Sequence, residues 1–194
     1  MKLLAETFTR RDPPAVAAGL TASEFEAFVR ILCPNAAADG LTIVAKLAGT
    51  GELVGVMLTE DCASPPLQGL DTLSPKFDPI FDILGQLDTE FWGGEPARPG
   101  EALHLLLLGV SERVAGRGVA HQLVAECLKH GARRGYQLAF AEATNIVSQH
   151  IFRKQGFVTR DQRSYQTYHF NGRQVFASIA EHGGPMLMVK PLVP

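Results

Sequence analysis

The chain has 194 residues, one domain's worth at roughly 100–200 residues per domain, and a domain of that size buries most of its apolar surface without staples. With 46% hydrophobic and 20% charged residues it has a globular composition that excludes disorder and fibrous repeats, and a net charge of -2 argues against a general polyanion binder, so no nucleic-acid partner is expected. No apolar run reaches the roughly 18 residues of a membrane span and no secretory leader pattern opens the chain, so the reading is cytoplasmic, without a membrane partner. The cysteines, Cys33, Cys62 and Cys127, have neither zinc-site nor disulfide spacing, so no metal is expected.

In chain order, Thr21-Ala-Ser-Glu24 reads as a capping box opening a helix to about Leu32. Leu41 to Leu47 and Leu53 to Leu58 are β-rich apolar runs around Gly49-Thr-Gly51, a hairpin signal. From Glu52 to Glu101, ten acidic residues stand against Lys76 and Arg98, a local balance of -8 in a long excursion with a helix from about Pro79 to Phe91. His104 to Val110 is too uniformly apolar to face water on one side and reads as a central strand, in which Gly109 marks a bulge or a close backbone approach. Val119, Ala120, Leu123, Val124, Cys127 and Leu128 recur at helical spacing in an amphipathic helix ending near Gly135. A strand from Tyr136 to Ala143, a short helix from Ile146 to Lys154, an alternating strand from Phe157 to Phe170 with a turn at Asn171-Gly172, and a strand from Met186 to Leu192 complete an α/β core.

The most informative segment is Val110 to Ala120, where a buried strand meets a helix through two glycines. Unpaired amides at such a turn, backed by the helix dipole, make a site for a pyrophosphate, and glycine lets the phosphate oxygens approach. Arg113 and Arg117 supply matching charge there. The dinucleotide fingerprint and the Walker pattern are both absent.

Here the sequence resembles the GCN5-related N-acetyltransferase (GNAT) superfamily. Ala115-Gly116-Arg117-Gly118-Val119-Ala120 matches its acetyl-CoA signature, with Ala115 where an arginine or glutamine is usual. Asn145 to Phe157 matches the second landmark, asparagine, a small residue at Ser148, then an aromatic before Gly156-Phe157, with Phe152 where tyrosine is common. The resemblance covers about residues 103 to 158 and is nearest in pattern to the arylalkylamine or dopamine N-acetyltransferase branch. Phe8-Thr-Arg-Arg-Asp12-Pro13, the hydroxyl pair Thr144 and Ser148, and the C-terminal end carry that weaker likeness.

The resemblance implies a single α/β (α+β) acetyltransferase domain over 1–194, with a mixed, mostly antiparallel sheet, helices on both faces and splayed central strands. The family's usual first strand is missing from this reading, since the chain starts inside the first helix. It implies acetyl transfer from acetyl-CoA to a primary amine of a small molecule by direct attack in a ternary complex, in a monomer or homodimer. Leu108, Gly109 and Val110 would hold the pantetheine arm and polarise the thioester, with Asn145 and Phe152 completing the cofactor site.

Asp12, Thr144 and Ser148 are the catalytic candidates. An alkylamine is protonated at neutral pH, so Asp12 would have to accept its proton, which requires a carboxyl pKa raised by burial. A turn or cap aspartate before Pro13 is the competing reading. Ser148 could donate to the departing sulfur in place of the missing phenol, or merely cap its helix. His121 reads as exposed beside the cofactor turn and His150 as surface or core. The acidic excursion and Phe77, Phe81, Phe91 and Trp92 offer an acceptor surface for a cationic amine, with core packing the commoner reading of such aromatics. The competing functions are a peptide or protein amine acetyltransferase and a degenerate acyl-CoA-binding module.

Overall fold

The computed structural model describes residues 1–93 and 97–192. The first element is helix α1, Lys2–Arg11, and a short helix α2, Pro13–Ala17, follows directly. Asp12 joins them with extended backbone (φ -83°, ψ 115°), the conformation that a following proline imposes. Helix α3, Ala22–Asp39, starts at the expected capping box, with the Thr21 hydroxyl accepting from the Glu24 amide at 3.3 Å and Glu24 Oε2 from the Thr21 amide at 2.8 Å. It runs past Leu32 and through Pro34, because strong helix formers follow and Ala36 continues the face buried by Phe25, Phe28, Val29 and Leu32.

Strands β1, Ile43–Lys46, and β2, Leu53–Asp61, form the expected hairpin. Helix α4, Asp78–Trp92, lies in the acidic excursion as anticipated, and β3, Ala102–Val110, is central. Helix α5, Val119–Arg133, strand β4, Leu138–Ala143, helix α6, Ile146–Lys154, and strands β5, Val158–Gln162, and β6, Met186–Pro191, complete the chain. The sheet order is β1-β2-β3-β4-β6-β5, antiparallel throughout except where β3 meets β4. Helices α1 and α3 pack one face through Leu4, Phe25, Phe28 and Leu32, and α5 and α6 the other through Leu123, Val124, Ile151 and Phe152, as the α/β reading expected. Among the described residues no helix is long and apolar enough to cross a membrane.

One expectation needs correction, and the structure decides between the two readings of Gly109. The alternating run from Phe157 to Phe170 stays in the sheet only to Gln162, because Tyr165, Tyr168 and Phe176 are drawn into the core beneath α1 and α3. The Asn171-Gly172 turn is present, with φ of 49° and 74°, but it closes a single bridge between Phe170 and Arg173. The bulge near Gly109 lies instead between Leu105 and Leu107, opposite Leu58 and Thr59. Gly109 serves a close approach: a Cβ there would stand 2.7 Å from the Leu4 side chain of α1.

The strands that position the site are β3 and β4. They run parallel and pair only over Ala102 to His104 against Leu138 to Phe140, then separate. The Ser111 amide donates to Val54 on β2 at 2.9 Å, and strand amides alternate in direction, so those of Val110 and Leu108 turn away from β2 into the gap.

Candidate active site

The turn between β3 and α5 has the geometry that an anion requires. The amides of Ala115 and Arg117 bond back to Glu112 and Val114, whereas those of Gly116, Gly118, Val119 and Ala120 have no partner among the described residues. Gly116 and Gly118 hold φ of 74° and 76°, a left-handed conformation that turns these amides outward, and a Cβ at either would meet open space. The dipole of the 15-residue helix α5 adds partial positive charge at this point. Charge from the arginines is less direct than expected. Arg113 is held by Glu52 at 2.6 Å, and Arg117 is exposed beside the turn rather than on the cavity wall.

From this turn a cavity of about 810 Å³ runs through the gap between β3 and β4 to the space beneath α1, α3 and α4. Leu108, Val110, Asn145, Ser148 and Phe152 all line it, joining residues that the sequence reading had assigned to one site. His121 and His150 also reach its wall, their rings 6.5 Å apart.

Asp12 lies on the same cavity, 8% exposed. Its Oδ2 accepts from the Ala15 amide at 3.2 Å and its Oδ1 from the Thr144 hydroxyl at 2.5 Å. Burial pushes this carboxyl up to about 6 from 3.8, even though the Thr144 and Ala15 bonds and the nearby His182 pull it down. One carboxyl thus caps α2 and has the raised pKa that a base for an ammonium needs. Thr144 is itself fixed from behind, since the buried Tyr165 hydroxyl donates to its carbonyl at 2.8 Å.

The short helix α6 begins with a capping box. Asn145 Oδ1 accepts from the amides of Val147 and Ser148, and the Ser148 hydroxyl accepts from the Asn145 amide at 3.3 Å and donates to its carbonyl at 2.9 Å. Ser148 therefore faces the cavity with its proton engaged locally. Thr144 precedes the first turn of α6 at the exit of β4, and Phe152 packs edge-on against Phe157 with 3% exposure.

Residues 22–157, well over half of the chain, match the Acetyltransferase (GNAT) family model. The chain belongs to the GNAT family. It is an acetyl-transferring enzyme. Several solved structures share the fold of this GNAT protein at low identity. The C-terminal condensation domain of Ebony, in complex with beta-alanyl-dopamine, aligns with TM-score 0.88 at 15% identity over 98% of this chain and 91% of that one. Arylalkylamine N-acetyltransferase 2 from Aedes aegypti aligns with TM-score 0.82 at 22% identity over 100% and 93%. Polyamine N-acetyltransferase of Drosophila melanogaster aligns with TM-score 0.66 at 20% identity over 84% and 79%.

At its other end, the GNAT enzyme's cavity is walled by phenylalanines. Phe77 and Phe81 line it as expected, together with Phe8, Phe25 and Phe28, in contacting pairs with ring centroids 4.9 to 5.9 Å apart. Phe91 and Trp92 do not, because they pack on Phe140 across the sheet. Sequence reasoning missed four polar residues on this wall. His104 of β3 lies between Glu142 Oε2 of β4 at 2.8 Å and Glu60 Oε1 of β2 at 3.3 Å, with the Asp88 carboxyl of α4 beside Glu142. Burial opposes a charged imidazole, but the two glutamates outweigh it and push His104 up to about 10, so it stays protonated at neutral pH. Burial and the adjacent Glu142 raise the Asp88 carboxyl well above its ordinary value, whereas Glu142, despite its own burial, is held low by His104. The available signal was a lone carboxylate inside the apolar strand Leu-Ala-Phe-Ala-Glu-Ala.

Proposed function

We propose that this GNAT enzyme transfers an acetyl group from acetyl-CoA to a primary amine of a small molecule, by direct attack in a ternary complex, as in the arylalkylamine branch. The observation that carries the reading is that one cavity joins the unpaired amides of Gly116, Gly118, Val119 and Ala120 with the Asp12-Thr144 pair. The turn fits a diphosphate because it offers several convergent donors and no side chain in the way. The separated edge of β3 fits an extended pantetheine arm, which would pair with it as a further strand would.

The acceptor arrives as an ammonium, and Asp12 takes one of its protons while the Thr144 hydroxyl holds the carboxylate in place. The freed nitrogen lone pair then attacks the thioester carbonyl carbon. The amides of Leu108 and Val110 donate to the carbonyl oxygen as negative charge gathers on it, a contribution of about 3 kcal/mol per donor in comparable sites. As the carbon–sulfur bond breaks, the sulfur keeps the electron pair and takes a proton from Ser148, which turns from the Asn145 carbonyl and is reprotonated by the amide-forming nitrogen. The proton on Asp12 leaves to solvent.

Thiol release from acetyl-CoA, measured against arylalkylamines, polyamines and peptides, tests the reading. Release that depends on a small amine is expected. Release with peptides alone, or with none of the panel, overturns it. Within the mechanism, Ser148→Ala is expected to lower kcat about tenfold with KM for the amine unchanged, and to cost about 1 kcal/mol in thermal unfolding through the lost cap. Full turnover in that variant would leave Ser148 only its capping role.

A further inference from the structure

We propose that Glu60, Asp88 and Glu142 form a second-charge subsite at the acceptor end of the cavity, so that the preferred acceptor is an amine with a cationic group at its other end, a diamine or a guanidinoalkylamine. The inference deepens the acetyl-transfer reading and rests on it for the chemistry.

Three carboxyl groups meet here and, among the described residues, only one cation, His104, answers them. Burying carboxylates is costly unless they are paired, and a core built only for stability would have no use for this excess. Glu142 is 7% exposed at its side chain, yet its Oε1 has no hydrogen-bond partner among the described residues, and the Oδ1 of the neighbouring Asp88 is likewise buried without one. Both residues line the cavity. A cationic head entering the subsite gives each of these unpartnered oxygens a charged donor. A metal ion is the less suitable occupant, since among the described residues no grouping of His, Cys, Asp and Glu has the arrangement to hold one.

The placement sets the length of the ligand. Phe140, Glu142 and Thr144 fall on one side of β4, while Ala139, Ala141 and Ala143 pack into the core on the other. Glu142 therefore stands two residues, about 7 Å along the chain, from Thr144, whose hydroxyl donates to Asp12. With the reacting nitrogen at Asp12, a linker of about four or five carbons brings the second charge to Glu142 and Asp88. The phenylalanine and leucine walls between the two ends suit such a methylene chain.

The test compares putrescine, cadaverine and agmatine with butylamine and pentylamine, and tyramine with phenethylamine, in acetyl-CoA turnover. Calorimetric titration of cadaverine and pentylamine into the protein alone accompanies it. A kcat/KM at least about tenfold higher for the dications than for the matched monoamines is expected, as for a charge-assisted contact in a water-poor site. In Asp88→Asn and Glu60→Gln that ratio falls toward one. Parity between dications and monoamines overturns the proposal, as does discrimination only by the tyramine hydroxyl. If no amine releases thiol, acetyl transfer fails as a reading, while the titration still decides the subsite: tighter cadaverine binding that is lost in either variant sustains it, and equal binding removes it.

Discussion

Asp12→Asn is expected to lower kcat by about a hundredfold or more while making the folded protein more stable at neutral pH. The asparagine oxygen keeps the Ala15 cap, and its amide group still faces the Thr144 hydroxyl, so geometry is largely retained and only the proton acceptor is lost. The stability gain follows from linkage. The folded carboxyl is raised from 3.8 to about 6, so between those values the native state binds more protons than the unfolded chain. Stability contributed by this group is therefore full below pH 3.8 and lost as pH rises through about 6. At pH 7 the ionised carboxylate costs up to about 3 kcal/mol, of which the neutral amide should recover about 1–2 kcal/mol. Chemical denaturation of both proteins at pH 7 and pH 4 checks this, since the advantage of the variant should vanish at the lower pH. In kinetics, the limb of the wild-type kcat profile that rises near pH 6 should disappear. An unchanged profile would leave Asp12 a helix cap and nothing more.

The proposed double role of Asp12, as cap and as base, shows what was legible in the sequence. Asp12 before Pro13 announced a cap because that signal is local, whereas Thr144 entered only through the hydroxyl pair with Ser148. Their contact spans a separation of 132 residues, and no local pattern reports it. The β3 strand, the glycine turn and α5 were readable because a uniform leucine run, a pair of glycines and helical spacing each have one physical explanation. Glu60, Asp88, His104 and Glu142 were not, because they arrive from three strands and a helix and only the closed sheet assembles them. The alternation from Phe157 to Phe170 misled for a related reason. A half-buried strand and an irregular segment anchored by Tyr165 and Tyr168 place aromatics inward at similar intervals, and tertiary packing decides between them. Under the proposed reading Ala115 weakens little, since the amides of Gly116, Gly118, Val119 and Ala120 are free of protein partners among the described residues whatever side chain stands at position 115.

Those amides make Gly118→Val the second substitution with a large expected effect, an increase of about a hundredfold in KM for acetyl-CoA, or roughly 2.7 kcal/mol of lost binding. Two contributions add. Gly118 holds φ of 76°, where a β-branched residue costs about 1–2 kcal/mol, so the turn relaxes and its amides lose their convergence. The new side chain also projects into space that is empty around Gly118 and that phosphate oxygens need in order to reach the amides of Val119 and Ala120. Because nothing in the protein collides with that side chain, the fold should lose no more than the backbone strain, and thermal unfolding should report a modest shift. S-acetylpantetheine isolates the cause, since it carries the thioester and the arm without the diphosphate. Wild type and variant should use it with equal kcat/KM, because its contacts lie along β3 and at Asp12, away from the turn. An equal loss with both thioesters would mean that the substitution had disturbed the whole site, and the diphosphate would then have to be held elsewhere.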